Sequence, residues 1–415
     1  MTVEERFFLA KEDQAFDWLK RPALQKLFAL LNRDGEEVRV VGGAVRNSLL
    51  GGKVNDIDCA TTAEPSLVME WARAANIRVL PTGVDHGTVT LMIDDESFEV
   101  TSLRTDVATD GRHAQVVFGR DWAEDAARRD FTMNAIYLDA AGRLYDPTGS
   151  GVADAKKRCV RFIGDAERRI AEDYLRVLRF FRFYAQYGGH YNTPDYVACI
   201  AAQRQLASLS GERVGAEMQK LISGRYAVES LDAMLKGGML PAVLASVPSL
   251  TRFARLLELM SILRLKPDMT VLLVALCVDV AEDAKRIAGV MRLPNRLRDA
   301  MIRLVANVRT IRSISEIEIQ ELAYLHGKDV AHDLVVLALV RRQVSTDLTK
   351  ISMLLHNLDL WRPPVFPLSG RDLLDKGMKP GRQLGKRLSE LEQIWVASGF
   401  SLSKAQLLSR KVLHS

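Results

Sequence analysis

Seven short segments of the first 150 residues are strand-like, with hydrophobic positions bounded by turn residues, a pattern typical of β-strands. The segments are 38–42, 56–60, 77–81, 87–93, 97–103, 115–118 and 135–139. Three further stretches carry apolar residues at helical spacing, namely 10–32, 65–75 and 121–129. The pattern therefore predicts an α+β domain over residues 1–150, in which helices flank a mixed β-sheet.

The rest of the chain has a different pattern, with long amphipathic helical stretches and almost no strand signal after residue 151. The turn-forming segment 146–151 lies at the change and is a plausible hinge. Prolines within 363–367 interrupt the last long helical stretch and open a separate C-terminal segment. We therefore expect an elongated, all-α region to follow the α+β domain.

Composition and charge place only broad limits on the function. The 415 residues carry a net charge of +5, which permits a polyanionic partner without requiring one. The four cysteines lack Cys-x-x-Cys spacing, which argues against a structural zinc site or a disulfide framework. The N-terminus lacks the pattern of a signal peptide, and the longest apolar run, 269–278, is too short to span a bilayer. We expect a soluble, cytoplasmic protein with no membrane contact.

The first candidate chemistry combines two glycines, an arginine and two aspartates, in the order Gly42, Gly43, Arg46, Asp56 and Asp58. Without Cβ atoms, the glycines let a phosphate approach the backbone N–H groups. Residues two apart on a strand point to the same side, so the two aspartates would converge. Converging carboxylates beside a phosphate cradle indicate a divalent-metal site for nucleotide chemistry. Glu99 is a candidate third carboxylate, or else a solvated residue on the outer face of its strand.

A second group of polar residues contains Arg129, Asp130 and Asn134. Arginines before an acidic residue also occur at ordinary helix ends, where they complement the helix dipole. Asp130 and Asn134, however, adjoin an apolar strand segment, in which unpaired polar groups would be costly. We interpret them as ligand-binding residues that donate to or accept from ribose hydroxyls, while Arg129 contacts phosphate.

A third group recurs every three residues along one predicted helix and consists of Asp173, Arg176, Arg179 and Arg182. A solvated charged face is the usual explanation, but the intervening residues are almost all aromatic or aliphatic. One aspartate cannot satisfy three buried guanidinium groups, so we expect a polyphosphate and a base to provide the remaining partners. Asp173 can accept a hydrogen bond from the exocyclic amine of adenine or cytosine, and Arg176 can donate to the same base edge.

In this order and spacing, the three groups resemble the motifs of class II tRNA nucleotidyltransferases of the DNA polymerase β superfamily. That family comprises the CCA-adding enzymes and the bacterial poly(A) polymerases. The matches are Gly-Gly-x-Val-Arg…Asp-x-Asp at 42–58, Arg-Arg-Asp-Phe-Thr-x-Asn-Ala at 128–135 and Glu-Asp-x-x-Arg at 172–176. The segment 212–221 resembles the last motif of the family, and the segments 368–374 and 379–385 resemble its tail. Asn47 departs from the pattern, which usually has aspartate at this position.

The resemblance implies a nucleotidyltransferase head, a neck, a body and a tail, at residues 1–150, 151–225, 226–362 and 363–415. It implies that Asp56 and Asp58, with Glu99, are catalytic, and that the two aspartates bind two Mg²⁺ ions. The implied nucleotide-binding residues are Gly42, Gly43, Arg46, Arg129, Asp130, Asn134, Asp173, Arg176, Arg179 and Arg182. Glu172 would support Asp173 and Arg176, which act as an amino-acid template. Basic residues near glycines in the tail are candidates for tRNA phosphates, namely Lys379, Arg382, Lys386 and Arg387.

The implied function is template-independent addition of C, C and A to the 3′ end of tRNA from CTP and ATP, with release of pyrophosphate and no stable protein partner. A bacterial poly(A) polymerase or a partial CC- or A-adding enzyme shares every motif. The segment 104–122 matches the flexible loop of the family and favours complete addition. A tRNA-binding chaperone is the non-enzymatic alternative. His332 and Asp333 suggest a phosphohydrolase of the His-Asp type, but we interpret this pair as structural.

Overall fold

The computed structural model of the chain describes residues 7–9, 16–81, 83–84, 87–109, 114–311, 313–342 and 347–410. The chain divides into two compact units, Met1–Val243 and Leu244–Ser415, which we call unit 1 and unit 2. Unit 1 contains strands and helices, and the regular elements described in unit 2 are helices. The predicted fold class, a mixed sheet with flanking helices followed by a mostly helical region, is confirmed. The boundaries at 150, 225 and 362 remain predictions.

The strands described in unit 1 are short, and most of them form one sheet. They are β1 Phe7–Leu9, β2 Val38–Val41, β3 Asp58–Thr61, β4 Arg78–Leu80, β5 Thr88–Ile93, β6 Glu96–Ser102, β7 Arg104–Thr109, β8 Ala114–Phe118, β9 Tyr137–Leu138, β10 Arg143–Tyr145, β11 Cys159–Val160 and β12 His190–Tyr191. The main sheet has eight strands in the order β1-β10-β9-β2-β3-β6-β5-β4. In addition, β7 pairs with β8 and β11 pairs with β12.

The centre of the main sheet sets the position of the predicted metal ligands. All four residues of β2 are buried, as expected for a strand that pairs on both sides. β3 and β6 are parallel, with Asp58 opposite Glu99, and the other pairs of this sheet are antiparallel. Directly paired residues point to the same face, so this register brings the two carboxylates together.

Helices flank the sheet and then continue through the rest of unit 1. They are α1 Pro22–Leu31, α2 Gly43–Leu49, α3 Pro65–Ala74, α4 Trp122–Arg128, α5 Gly151–Lys157, α6 Ala166–Glu172, α7 Leu175–Tyr187, α8 Thr193–Ala201, α9 Gly211–Ile222, α10 Ala227–Lys236 and α11 Leu240–Leu244. The helix predicted at 10–32 begins later than expected, since α1 starts at Pro22 and residues 10–15 lie outside the described part. A residue before proline is disfavoured in the α conformation, and Arg21 is accordingly extended.

The segment predicted as a loop at 104–122 is largely a β-hairpin. β7 and β8 pair antiparallel, with an irregularity between Asp106 and Ala108, and residues 110–113 lie outside the described part. The first strand of the hairpin was not predicted, because its segment is mostly polar and has no hydrophobic run. The assignment of this segment to the switch from C to A addition remains a prediction.

An aromatic cluster in unit 1 fixes α7 against the segment that follows α4. The ring of Phe131 lies 5.0 Å from that of Phe162 and 4.8 Å from that of Phe183, measured between centroids. Phe162 stacks on Phe180 at 5.6 Å. All four side chains are buried, and aromatic pairs at these distances contribute about 1 kcal/mol each beyond their area burial. The cluster thereby holds the arginines of α7 next to Asp130.

Unit 2 is built from helices packed around a nearly all-apolar one. The helices are α12 Leu250–Ile262, α13 Met269–Cys277, α14 Ala281–Val290, α15 Asn295–Val308, α16 Glu316–His326, α17 Lys328–Arg342, α18 Leu348–Leu360, α19 Gly370–Asp375, α20 Arg382–Ala397 and α21 Lys404–Ser409. Every residue of α13 after Met269 is buried, and α12, α15 and α17 pack around this helix. The last three helices enclose a smaller core that includes Leu373, Leu391 and Trp395. No helix in the described residues is long and apolar enough to cross a membrane.

Candidate active site

A cavity of about 530 Å³ opens in unit 1 at the turn between β2 and α2. Its lining includes ten residues that the sequence predicted: Gly42, Gly43, Arg46, Asp58, Arg129, Asp130, Asn134, Asp173, Arg176 and Arg179. Leu175 and Arg213 complete the lining. Five arginines against three aspartates give it an excess of positive charge, which suits a polyphosphate. Four other predicted residues lie outside the lining: Asp56, Glu99, Glu172 and Arg182.

Two of the three candidate metal ligands lie on one face of the sheet. Asp58 is the first residue of β3 and lies opposite Glu99 of β6, whereas Asp56 precedes the strand. Burial alternates here, since Ile57 and Cys59 are buried while Asp56 and Asp58 are exposed. Glu99 is likewise an exposed residue between two buried ones. The strand pairing therefore brings Asp58 and Glu99 together, whereas the convergence of Asp56 with them remains a prediction.

The electrostatics of this face favour a cation. Loss of hydration raises the pKa of Asp58, and the negative charges of Glu99 and Asp56 raise it further. A divalent ion would relieve this repulsion, and a donor set made only of oxygens is the one that Mg²⁺ prefers. Among the described residues, no group of three His, Cys, Asp or Glu side chains forms a ready metal cage. The carboxylates therefore fit an open site in which substrate oxygens complete the coordination.

The glycine turn directs Arg46 into the cavity. Gly42 follows β2 with a φ of 72°, a conformation that favours glycine, and α2 begins at the next residue. Arg46 donates to the side chain of Asn134 and to the hydroxyl of Tyr187, the latter at 2.5 Å. Its guanidinium carbon lies 4.4 Å from the centre of the Tyr187 ring. Burial among these neutral groups lowers the pKa of Arg46.

Asp130 and Asn134 are hydrogen-bonded to each other and to arginines. The Asn134 amide donates to Asp130 Oδ1 at 2.8 Å, and Arg179 Nε donates to Asp130 Oδ2 at 3.0 Å. Burial alone would raise the pKa of Asp130, but the charge of Arg179 and the hydrogen bond from Asn134 lower it overall. The protein itself therefore satisfies the groups that the sequence suggested were unpaired. Their contact with ribose remains a prediction, and both border the cavity.

Arg129 is held by a buried carboxylate that the sequence prediction missed. Asp125 of α4 has a fully buried side chain, and its Oδ2 accepts from Arg129 Nε at 3.0 Å and from the Tyr137 hydroxyl at 2.8 Å. Its Oδ1 accepts from Arg128 Nε at 2.8 Å. The helical spacing of Asp125 to both arginines is the signal that could have identified this residue.

Asp173 and Arg176, the candidate base-reading pair, are each held by a hydrogen bond to another charged residue. Asp173 lies at the junction between α6 and α7, not on one continuous helix as predicted, because its Oδ1 accepts from the backbone of Leu175 at 3.1 Å. Its Oδ2 accepts from Arg213 Nη2 at 2.6 Å. Arg176 Nη1 donates to Glu172 Oε2 at 2.6 Å. Glu172 therefore contacts one member of the pair and Arg213 holds the other.

The remaining arginines of α7 also have carboxylate partners in the protein. Arg179 pairs with Asp130, and Arg182 Nε lies 2.6 Å from Oε2 of Glu217, a buried residue of α9. The inference that a ligand must satisfy these guanidinium groups is therefore wrong, because both carboxylates come from segments distant in the sequence. The predicted nucleotide contacts of Arg179 and Arg182 remain predictions.

The tail candidates for tRNA binding lie in unit 2 and differ in exposure. Lys379 precedes α20, Arg382 is its first residue and Lys386 lies one turn further along, and all three are exposed. The side chain of Arg387 is only 11% exposed, and its Nη2 donates to the carbonyl of Arg410 at 2.6 Å. The first three are accessible to a phosphate backbone, while Arg387 is already engaged within unit 2.

Comparison with known proteins places this geometry in a family. Residues 38–161 match the poly A polymerase head domain, and residues 196–253 match a probable RNA and SrmB-binding site of polymerase A. The mitochondrial CCA tRNA nucleotidyltransferase 1 of Mus musculus is 33% identical over 412 residues, which cover 97% of this chain and 93% of the relative. The chain belongs to the CCA-adding tRNA nucleotidyltransferase family.

Two bacterial proteins of this family are also similar to the chain. A CCA-adding enzyme of Geobacillus sp. (strain WCH70) is 32% identical over 380 residues, 89% of this chain and 91% of that protein. The crystal structure of the Bacillus stearothermophilus CCA-adding enzyme in complex with CTP has a TM-score of 0.73 and 26% identity, covering 91% of this chain and 94% of that one. The family resemblance inferred from the motifs is confirmed.

The residues that hold the site but were not predicted as part of it include Asp125, Tyr187 and Arg213. Arg213 belongs to the segment that resembles the last family motif, which was its signal in the sequence. Tyr187 accepts a hydrogen bond from Arg46 although the two are 141 positions apart in the sequence. No local sequence pattern predicts a contact between residues so far apart.

Proposed function

We propose that this nucleotidyltransferase adds C, C and A to the 3′ end of tRNA, using CTP and ATP and releasing pyrophosphate at each addition. The observation that carries this proposal is a single cavity lined both by Asp58 and by the pair Asp173 and Arg176. A nucleoside triphosphate has a polyphosphate that a metal ion at Asp58 can bind and a base that Asp173 and Arg176 can contact. The excess of arginines in the lining and the CCA-adding relatives support the same reaction.

Nucleotidyltransferases of this family generally use divalent metal ions, and we propose two Mg²⁺ ions for this chain. Asp56 and Asp58, with Glu99, would hold them, since Asp58 and Glu99 are paired on neighbouring strands, and burial with the charges of Glu99 and Asp56 raises the pKa of Asp58. When bound, the ions lower the pKa of the attacking 3′-hydroxyl and neutralise charge on the leaving pyrophosphate.

The protein's own contribution is positioning. The 3′-oxygen forms a bond to the α-phosphorus while the bond to pyrophosphate breaks, and such a transfer requires the two oxygens to be in line. Arg46, Arg129 and Arg179 line the cavity and would hold the triphosphate in that orientation. Each guanidinium is already fixed by hydrogen bonds to neighbouring residues, so little side-chain freedom is lost when substrate binds.

Base selection would depend on Asp173 and Arg176. The Asp173 carboxylate accepts a hydrogen bond from the exocyclic amine of cytosine or adenine, and Arg176 donates to the adjacent ring nitrogen. Guanine and uracil have a carbonyl in place of this amine. The carbonyl oxygen and the Asp173 carboxylate are both hydrogen-bond acceptors, so these bases would be disfavoured. Arg213 and Glu172 support this role, because they limit the freedom of the two side chains.

Product length tests the reaction against its rivals. A tRNA transcript that lacks CCA is incubated with CTP, with ATP and with both nucleotides, and the products are resolved one nucleotide at a time. We expect two additions with CTP, none with ATP and three with both. A long ladder with ATP would identify a poly(A) polymerase, a stop after two additions would identify a CC-adding enzyme, and no extension would favour the chaperone.

The Asp58→Asn variant tests the catalytic centre. It removes one negative charge at nearly constant size, and we expect incorporation of CMP to fall by about 10³-fold or more. Asp232→Asn is the matched control, because Asp232 is a half-buried residue of unit 1, away from the cavity lining, in an ion pair with Lys236. Binding of tRNA should be unchanged in both variants. Near-normal incorporation by Asp58→Asn would refute the assignment.

The cytoplasmic location remains a proposal. The relative from Mus musculus is mitochondrial by name, so family membership does not fix the compartment. Fractionation of cells that express the tagged chain would test this proposal.

A further inference from the structure

A second pocket of about 270 Å³ in unit 1 has no part in the reaction described above. It is lined by Asn47, Leu50, Gly51, Gly52, Arg158, Gln186, Tyr187, Arg225 and Tyr226. Two arginines, two tyrosines and two amide side chains thus meet around one opening. No acidic residue belongs to this lining, so the pocket has a net positive charge.

The two arginines keep their charge available to a ligand. Arg158 Nη1 donates to the Tyr226 hydroxyl at 3.0 Å and to the Tyr187 carbonyl at 3.4 Å, and both partners are neutral. Arg225 is exposed, and its guanidinium lies 5.5 Å from the centre of the Tyr226 ring. In the described part of the chain, neither arginine lies within ion-pair distance of a carboxylate. This differs from the active-site arginines 129, 176 and 179, each of which has a carboxylate partner.

Two glycines, Gly188 and Gly189, allow the backbone to pack closely against Tyr226 and Arg158 of the pocket. A Cβ at Gly188 would lie 2.4 Å from the Tyr226 ring, and a Cβ at Gly189 would lie 2.6 Å from the Cβ of Arg158. Both approaches are possible only for glycine. Arg158 itself has a φ of 55°, which is unusual for a residue with a side chain and requires support from its surroundings. The pocket is therefore a built feature and not a loose surface depression.

One residue connects this pocket to the active site. Arg46, which lines the catalytic cavity, donates to the Asn47 side chain at 3.3 Å and to the Tyr187 hydroxyl at 2.5 Å. Asn47 and Tyr187 also line the second pocket. The hydrogen bonds of Arg46 to Asn47 and Tyr187 therefore connect the lining of the catalytic cavity to the lining of the second pocket.

We propose that this second pocket binds a phosphate group, and that the phosphate belongs to the RNA strand whose 3′ end enters the catalytic cavity. Arginines beside aromatic rings form the usual combination for single-stranded nucleic acid, in which the cations hold phosphates and the rings stack on bases. A free nucleoside triphosphate offers the same phosphate chemistry and is the alternative source. The choice of RNA rests on the proposed function.

Two variants test the pocket, each with a matched control in unit 1. Arg225→Ala removes a cation, and Arg204→Ala removes an equally exposed one elsewhere. Gln186→Glu adds a carboxylate to the lining at nearly constant size, and Gln205→Glu adds one at an exposed site away from it. Affinity for a tRNA that lacks CCA is measured by fluorescence anisotropy at several salt concentrations, without nucleotide and with EDTA. Affinity for CTP is measured separately.

We expect both pocket variants to weaken tRNA binding about fivefold, with the controls within twofold. For Arg225→Ala, the slope of log Kd against log salt should become shallower by about 0.7, the value for one phosphate contact to a single strand. Loss of CTP affinity with unchanged tRNA affinity would assign the phosphate to the free nucleotide instead. If neither affinity differs from the controls, the proposal is overturned. These measurements require no turnover, so their failure would leave CCA addition intact.

Discussion

At the scale of single residues, the contact between Asp173 and Arg213 is the one whose removal tells most about base selection. Arg213 Nη2 lies 2.6 Å from Asp173 Oδ2 and both residues line the cavity. We predict that Arg213→Gln lowers kcat/KM for CTP and ATP about tenfold, because the freed carboxylate must be ordered when the base binds. Discrimination against UTP and GTP should fall as well. Single-nucleotide incorporation with each of the four triphosphates measures both effects.

Two further variants separate orientation from general loss of charge. Arg213→Lys keeps a cation near Asp173 and should recover part of the discrimination, although a single ammonium cannot reproduce the guanidinium geometry. Arg204→Gln removes a cation from an exposed site of the same unit and should behave like the unmodified protein. An unchanged ranking of the four triphosphates in Arg213→Gln would contradict the proposed role of Asp173.

The sequence predicted which residues line the cavity, but it did not predict which residues form hydrogen bonds with them. The spacing of Asp173, Arg176 and Arg179 correctly brought three cavity-lining residues together. Their partners are distant, since Arg179 meets Asp130 across 49 positions and Asp173 meets Arg213 across 40. Periodicity reports which face of a helix a residue occupies, and it carries no information about the segment that packs there.

At the scale of elements, the sequence predicted strands and helices best where one face is buried, because hydrophobic residues then recur at regular intervals. β5 alternates half-buried and buried residues without a break, and its predicted bounds differ from the observed ones by a single residue. β7 and the short β1 and β10 were missed, because hydrogen bonding to a neighbour defines them more than an apolar face does. At the start of α1 the hydrophobic pattern predicted too long a helix. Hydrophobic residues at helical spacing continue before Pro22, but the helix begins at this proline.

The helix α17 of unit 2 contains a carboxylate with an unusual proton affinity. Burial, together with the charges of Asp268 and Asp329, raises the pKa of Asp333 to about 7. Between pH 4 and 7 the folded state therefore holds a proton that the unfolded chain has released, so stability falls as pH rises through this range. We predict that Asp333→Asn raises the thermal midpoint at pH 8 by several degrees, at ~2–4 °C per kcal/mol. At pH 4 the variant and the unmodified chain should be alike.

The neighbouring Asp329→Asn variant is the control for this effect. It removes one of the two charges that act on Asp333, so it should shift the midpoint in the same direction but by less. His332 pairs with Asp359 at 3.2 Å, a contact that involves neither of the substituted residues. Parallel curves for Asp333→Asn and the unmodified chain from pH 4 to pH 8 would show that Asp333 keeps an ordinary proton affinity in the folded state.

At the scale of the whole molecule, the chemistry is assigned to unit 1, whereas candidate RNA contacts are assigned to both units. All residues that line the catalytic cavity and the second pocket belong to unit 1. The exposed basic residues proposed to contact tRNA in the tail belong to unit 2. The family pattern in the sequence indicated this division, because the metal-binding and base-reading motifs all precede residue 225. Substitutions in the catalytic cavity should therefore affect chemistry, whereas substitutions in the second pocket of unit 1 and in the tail of unit 2 should affect RNA affinity.

The tail residues test this division directly. We predict that replacing Lys379, Arg382 and Lys386 together by glutamine weakens tRNA binding about tenfold or more and makes the salt dependence shallower by ~2 on a log–log plot, because up to three phosphate contacts are lost. CTP affinity should be unchanged, which is the opposite of the pattern expected for the active-site variants. The control replaces three exposed lysines elsewhere in unit 2 by glutamine, namely Lys266, Lys285 and Lys350. Equal losses in the two triple variants would mean that net charge, and not the tail surface, attracts the RNA.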